Sequence, residues 1–323
     1  MKPSLEALVV AARAALESEG GMIAQVGSEA PRFELFGAAN SICSQKVRAV
    51  LAHHGLAYRS HSLNLFGGQT YVPAYVRMRL RGCDELGDAL VSRHSGSTSV
   101  IDGGGCDAVV VPTLVDWHEE RVVVDSRRIC NHLDTAVADA SKRLRPESLA
   151  TRIDAEIDII DNLPNYQMLS GRPPGPDRRP EPLRGRTGVA FAMGKVERCD
   201  QYLNAYPDDA DLQRAYAAKR AKELDAATHL FDDEAMRAAY DKAAAACDAF
   251  ERRLAGATTR WLLGDQVTLA DVFWGVELTR IKNLDADAFV RDGRWPAIEA
   301  FAGRTRELEA IRRAIVDWPG ALF

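Results

Sequence analysis

Apolar positions along the chain keep two rhythms, and the change between them divides it into halves. In the first half a short apolar run at 33–36 predicts a strand. Val47, Val50 and Leu51 then recur at the spacing of one helix face over about 44–54, where Gly55 stops the helix. A further strand at about 58–65 completes a βαβ unit, and a helix is predicted near 71–80. The stretch 81–108 is rich in Gly and Ser, keeps neither period and reads as an inserted surface loop. "VVVPTLVDWHEERVVVDS" predicts two strands, 109–116 and 121–124, joined by a polar turn, and "SRRICNHLDTAVA" predicts the helix that closes this half.

Ahead of the unit, the apolar positions up to Gly20-Gly21 recur at helical spacing and are interrupted by Glu6, Arg13 and Glu17, which predicts an amphipathic helix rather than a secretion signal. From about residue 150 the chain turns to Ala-, Asp- and Arg-rich segments of helical period, so the second half is expected to be all-helical. "LSGRPPGPDRRPEPLRGRTG" interrupts it with a long irregular loop. The expected organisation is a helical extension at 1–31, an α/β domain at 32–140 with an insertion at 81–108, and a helical domain at 150–323. No run of eighteen apolar residues occurs, so no transmembrane helix is expected.

Composition narrows the partners. A chain of 323 residues with 46% apolar side chains can fill two cores. Its 41 basic and 46 acidic side chains argue against a nucleic-acid surface or a polybasic membrane anchor, and so favour a small-molecule partner. Six cysteines are scattered without paired spacing, which suggests neither a disulfide framework nor a zinc site; a reducing, cytoplasmic setting and no metal are expected.

Candidate chemistry begins at Cys43, where a strand turns into a helix. A thioredoxin-type site would carry a second cysteine three residues on, but Lys46 stands there. The helix N-terminus with Lys46 and Arg48 is expected to lower the thiol's pKa. A second sulfur would then come from outside, and the abundant cytosolic thiol is glutathione; the alternative is a small buried residue. Pro112 opens a strand whose edge could pair with an extended peptide. Asp125 and Ser126 stand at another strand-to-helix junction, where Ser126 could cap the helix and the free N–H groups could receive a carboxylate. Alone this is a structural cap; in a βαβ-α-ββα order the three loops share one edge of the sheet. Thr268 and Asp271 have the spacing of a capping box.

These pieces, "SICSQKVR", "NLFGGQ", "VVPTLVD", "VVVDSRRIC" and "GDQVTLADVFW", stand in the order in which the chain strongly resembles the glutathione transferase superfamily, whose members join a thioredoxin-like domain to an all-helical one. Ser41–Ser44 with Gly67–Gln69 is similar to the zeta class, with its maleyl-type isomerases, and to the superfamily's reductive dehalogenases of hydroquinones. The extension before "PRFELF", the segment "YVRMRLR" with the insertion, and "DRRPE" resemble the dehalogenases. The resemblance implies that Ser41 hydrogen-bonds the glutathione sulfur and that Val111 and a cis Pro112 pair with its cysteinyl backbone. It implies further that Asp125 with Ser126 holds the γ-glutamyl end, Gln69 holds the glycyl end, and Cys43 is a second nucleophile.

Three functions follow from it. One is reductive dehalogenation of a hydroquinone-like aromatic through a Cys43–glutathione mixed disulfide. Another is cis–trans isomerisation of a maleyl-type acid or simple conjugation, and the third is a non-catalytic glutathione-binding module. For the second substrate, Tyr166 within 162–169 offers a flat face with a polar tip, and Arg178 or Arg179 could hold a phenolate or carboxylate. A homodimer is expected from the family.

Overall fold

The computed structural model describes residues 3–27, 30–99, 105–284 and 293–322. Its first half holds strands β1 (Met22–Val26), β2 (Phe33–Gly37) and β3 (Tyr58–Ser62), a short pair β4 (Ala89–Leu90) and β5 (Gly105–Cys106), and the hairpin β6 (Thr113–Asp116) with β7 (Arg121–Val124). Five of them form one mixed sheet in the order β1-β3-β2-β6-β7. Strand β2 runs parallel to β3, with Phe33 opposite Tyr58, and antiparallel to β6, with Leu35 opposite Leu114. Helices α1 (Leu5–Ser18), α2 (Ile42–His53), α3 (Pro73–Leu86) and α4 (Ser126–Thr135) complete this half.

Strand alternation sorts the sheet's two faces. Phe33 and Leu35 of β2 pack with α2 and α4, while Phe36 faces the core made with α1 and α3. Glu34 shares that second face, where it is buried and receives hydrogen bonds from Arg13, Arg59, His61 and Trp117. Burial alone would raise its carboxyl, but these partners, His61 first, hold it down at about 2.

Three departures from the expected elements have local causes. Strand β1 was not foreseen, because its residues are exposed and show no alternation; it forms by pairing antiparallel with β3 at the sheet edge. Helix α3 runs on to Leu86, since Gly82 and Cys83 continue its buried face and Gly87, at φ 70°, ends it. Of the expected strand 109–116 only the last four residues join the ladder; the rest leads in to a cis Val111–Pro112 bond, as the resemblance implies. Within the insertion, residues 100–104 lie outside the described residues.

The second half is helical: α5 (Ala150–Asp161), α6 (Asn165–Ser170), α7 (Gly188–Ala205), α8 (Ala210–His229), α9 (Asp233–Ala255), α10 (Leu269–Asn283) and α11 (Pro296–Arg306). Every residue of α10 from Leu269 to Ile281 is buried, so it is the axis of this half. Its start is fixed by the expected capping box, in which the Thr268 N–H donates to the Asp271 carboxylate at 2.8 Å. Polar ties cross from one half to the other. Lys46 of α2 donates to Asp161 of α5 at 3.0 Å, Arg280 of α10 donates to the Asn40 carbonyl, and Arg48 donates to the Ala314 carbonyl at 3.1 Å.

Candidate active site

A cavity of about 570 Å³ opens where the start of α2, the segment before Pro112, part of the insertion and helices α6, α7 and α8 converge. Its lining includes Ser41, Cys43 and Val111 of the first half, Thr98 of the insertion, and Tyr166 and Lys195 of the helical half.

The start of α2 is built from short polar side chains. Ser41 is the N-cap and its Oγ accepts the Ser44 N–H at 3.3 Å, while Ser44 Oγ accepts the Ala38 N–H at 3.1 Å. The helix therefore begins at Ile42, two residues earlier than expected, and Cys43 falls in its first turn. The thiol is buried at 9% exposure, with its sulfur 3.9 Å from the Thr98 carbonyl oxygen.

The expected lowering of the Cys43 pKa is not what the surroundings produce. Burial pushes the thiol up, and Lys46 only partly offsets this. Lys46 is itself buried, ion-paired with Asp161 and lying 4.5 Å from the centre of the Phe273 ring. Burial works against its ammonium, but Asp161 more than compensates and keeps it charged. Arg48, the other cation invoked from the sequence, donates to the Ala38 and Ala39 carbonyls and tethers the turn before α2.

At the second junction the cap of α4 is Asp125, not Ser126. Asp125 adopts φ 76°, and its carboxylate accepts the N–H groups of Arg127 at 2.9 Å and Arg128 at 3.4 Å. Burial, then the nearby Asp161, raises that carboxyl to about 6. Ser126 is buried beside Cys43.

Other expected site residues lie elsewhere. Gln69 is buried between backbone groups: its amide donates to the Glu19 carbonyl and accepts the Asn64 N–H, each at 2.7 Å, and it does not line the cavity. Arg178 is exposed. Arg179 is folded back on Asp177 at 2.8 Å and on the Leu169 carbonyl at 3.0 Å, so neither arginine reaches the cavity. Asp116, Glu119 and His132 are close enough together to hold a cation, but Arg32 already pairs with both carboxylates.

Sequence reasoning missed the cavity's charged wall. Helix α8 buries Leu212, Ala215, Tyr216, Lys219, Lys222, Glu223 and Ala226, so its lysines occupy the stripe where apolar residues belong. That polar interruption of a helical stripe was the available signal; it reads as a solvated face unless the stripe is traced through it. Lys219 and Lys222 reach Asp107, at the end of the insertion, at 2.9 and 3.0 Å, and Lys219 also pairs with Glu223 at 2.9 Å. Tyr166 donates to Glu223 at 2.7 Å, and Lys195 of α7 lies 3.2 Å from both. Burial would raise the Glu223 carboxyl, but the three lysines hold it well below the usual range. Arg198 of α7 lies over the Tyr71 ring and so close to Gly68 that a Cβ there would strike its guanidinium.

Comparison with known proteins agrees with this architecture. Residues 40–136 match the family model described as glutathione S-transferase, N-terminal domain, and 233–304 match its C-terminal domain counterpart. A 2,5-dichlorohydroquinone reductive dechlorinase of Sphingobium indicum is 36% identical over 293 residues, covering 90% of this chain and 84% of that protein. A tetrachloro-p-hydroquinone reductive dehalogenase of Sphingobium chlorophenolicum is 22% identical over 299 residues, covering 90% of this chain and all of that one. Among solved structures, the beta-etherase LigF of Sphingobium sp. strain SYK-6 superposes with a TM-score of 0.58 at 15% identity, covering 88% of this chain and 98% of that one, a likeness of fold.

Proposed function

The chain belongs to the glutathione S-transferase family, and from that we propose that it uses glutathione to remove halogen reductively from a hydroquinone-like aromatic, with Cys43 as a second nucleophile. The observation that carries the proposal is the placement of Cys43: it lines the same cavity wall as Ser41, within one turn of α2, and among the described residues it is the one cysteine of that wall. The dechlorinase and dehalogenase similarity supports the substrate class.

In this mechanism the Ser41 hydroxyl donates to the glutathione thiolate. Val111 offers backbone groups to the tripeptide, and the Asp125–Ser126 junction takes its γ-glutamyl end. The thiolate adds to the quinonoid tautomer of the aromatic and halide leaves. The Cys43 sulfur then attacks the thioether sulfur: the aromatic C–S bond breaks, an S–S bond forms, and the thiol proton ends on the aromatic carbon. A second glutathione thiolate attacks the mixed disulfide and frees Cys43, so two glutathiones become one disulfide while one carbon–halogen bond becomes carbon–hydrogen. Burial raises the Cys43 thiol, so the attacking thiolate forms only as its proton is given up toward the aromatic carbon, with the thioether already in the cavity. The proposal includes a two-fold homodimer in the cytoplasm.

The test is stoichiometric. With halogenated hydroquinones and glutathione, halide and oxidised glutathione should appear one for one; glutathione consumed as conjugate, or isomerised maleyl acid without any oxidised glutathione, would replace this proposal.

A further inference from the structure

The cavity that Cys43 lines also holds a polar group that the dehalogenation chemistry above does not use. Lys195 Nζ lies 3.2 Å from Tyr166 Oη and 3.2 Å from Glu223 Oε2. It also sits 4.4 Å from the Tyr166 ring centre and 4.3 Å from that of Phe191, which lines the same cavity. The tyrosine beneath it is wedged in place: His94 of the insertion stacks on it at 4.0 Å, and its N–H donates to the Gly96 carbonyl at 3.0 Å. Its hydroxyl hydrogen is committed to Glu223.

We propose that Lys195 binds the phenolic oxygen of the second substrate and carries its proton, with Tyr166 and Glu223 as positioning residues. This names the recognition chemistry of the site and rests on the phenolic substrate class proposed above.

Two features single out Lys195 among the cavity's lysines. Lys219 and Lys222 are almost wholly enclosed and bound to Asp107, whereas the Lys195 side chain keeps 22% of its surface open, and it lies among aromatic rings. A flat aromatic ligand stacked on Phe191 would bring an oxygen to the ammonium inside the same cavity that Cys43 lines.

The second feature is charge. Burial pushes the Lys195 pKa down to about 8; Glu223 opposes the shift, and Lys219 and Lys222 add to it. Tyr166, Tyr71, Asp107, His94 and Cys199 also belong to this cluster, with Arg198 lining the cavity from the same helix as Lys195; burial keeps His94 neutral and both tyrosines protonated. A lysine drawn down toward neutrality and set within reach of a phenolic hydroxyl has the property a proton carrier needs. The amine form takes the proton: the phenolic O–H breaks, a Lys195 N–H forms, and no electrons are transferred. The resulting ammonium holds the phenolate while Glu223 balances it, and the proton returns to oxygen before the product leaves.

The experiment uses 4-nitrophenol, whose phenolate is coloured, titrated into the full chain without glutathione, so that no halide chemistry takes part. Bound to the wild-type protein, the probe should ionise at lower pH than in buffer. In Lys195→Met that shift should vanish and affinity for the phenolate should fall roughly tenfold, the equivalent of about one pKa unit. Lys195→Gln provides the same comparison if the methionine variant does not fold, as read by circular dichroism. Lys195→Arg should keep phenolate binding, because its charge is permanent, yet lose the pH dependence of kcat near 8 with KM little changed. Unchanged probe ionisation and affinity in Lys195→Met overturn the binding role, and an unaltered pH profile in Lys195→Arg overturns the proton-carrying role. The probe titration stands whether or not the enzyme proves to be a dehalogenase, whereas the kcat profile is read on whichever phenolic substrate the protein turns over.

Discussion

The sulfur of Cys43 lies 3.9 Å from the carbonyl oxygen of Thr98, so a residue of the insertion, not of the strand-helix scaffold, closes over the thiol. The thiol is consequently buried, and its pKa is raised despite a lysine one turn away. Access to it is set by a loop that the helical half holds down: Ser97 donates to the Asp161 carbonyl and accepts the Ser99 N–H at 3.1 Å.

Loosening that loop should bare the thiol. In Ser97→Ala, Cys43 should be alkylated by iodoacetamide several-fold faster than in the wild type. In the wild type the rate should keep rising at pH values above the usual thiol range, because only the thiolate reacts. Mass spectrometry of the Cys43 peptide reads both; equal rates in the two proteins would mean that the loop does not limit access.

Cys43→Ser should separate the two sulfur steps. Halide release should continue, the aromatic glutathione conjugate should accumulate, and the reduced aromatic should fall to background in product chromatography. Stability should change by about 1 kcal/mol or less, since one small group replaces another. Reduced product at the wild-type rate would remove Cys43 from the mechanism.

Glu34 should make the fold acid-sensitive. Its pKa, about 2 in the folded chain, lies below the unfolded carboxyl value, so its contribution is fully present above the unfolded pKa and is lost as pH falls from about 4.5 toward 2. Glu34→Gln should cost about 2–3 kcal/mol at neutral pH. It should also flatten the decline of thermal stability through that window, measured by calorimetry against pH.

Lys46 and Asp161 should behave as an inseparable pair. Lys46→Met alone leaves a buried carboxylate near Asp125 and should destabilise by about 3–5 kcal/mol, whereas Lys46→Met with Asp161→Leu should recover most of the loss. The single variant should also raise the Cys43 pKa further, because the lysine's charge is the first influence that lowers it. Denaturant titration and the pH profile of alkylation check the two halves.

Local rules made the sheet's centre, the lone cysteine and the strand-helix junctions legible, because each rests on neighbours in sequence: an apolar run, a helix start, a proline at a strand edge. Strand β1 was illegible because pairing with β3 holds it, rather than burial of its own residues. The state of Cys43 was misjudged for a related reason. A helix N-terminus and two cations are visible along the chain, but the burial of the thiol, with the Thr98 carbonyl of the insertion set against its sulfur, comes from residues far off in sequence and outweighs the charge of Lys46. Gln69 and Arg179 show the opposite error, polar side chains that appeared available but are satisfied by Glu19, Asn64 and Asp177.

The buried lysines of α8 couple two parts of the chain in their history as well as in space. Asp107, the counter-ion of both Lys219 and Lys222, enters the fold at the exit of the insertion. A deletion that shortened this connection and drew Asp107 away would take the ion-pair partner from Lys222 and leave Lys219 to Glu223 alone, and apolar residues at 219 and 222 would leave Asp107 stranded in turn. Neither change is tolerable first. Loop and helix are thus obliged to be inherited together, and a relative with a short connection between α3 and the cis proline is expected to carry uncharged residues at both helix positions.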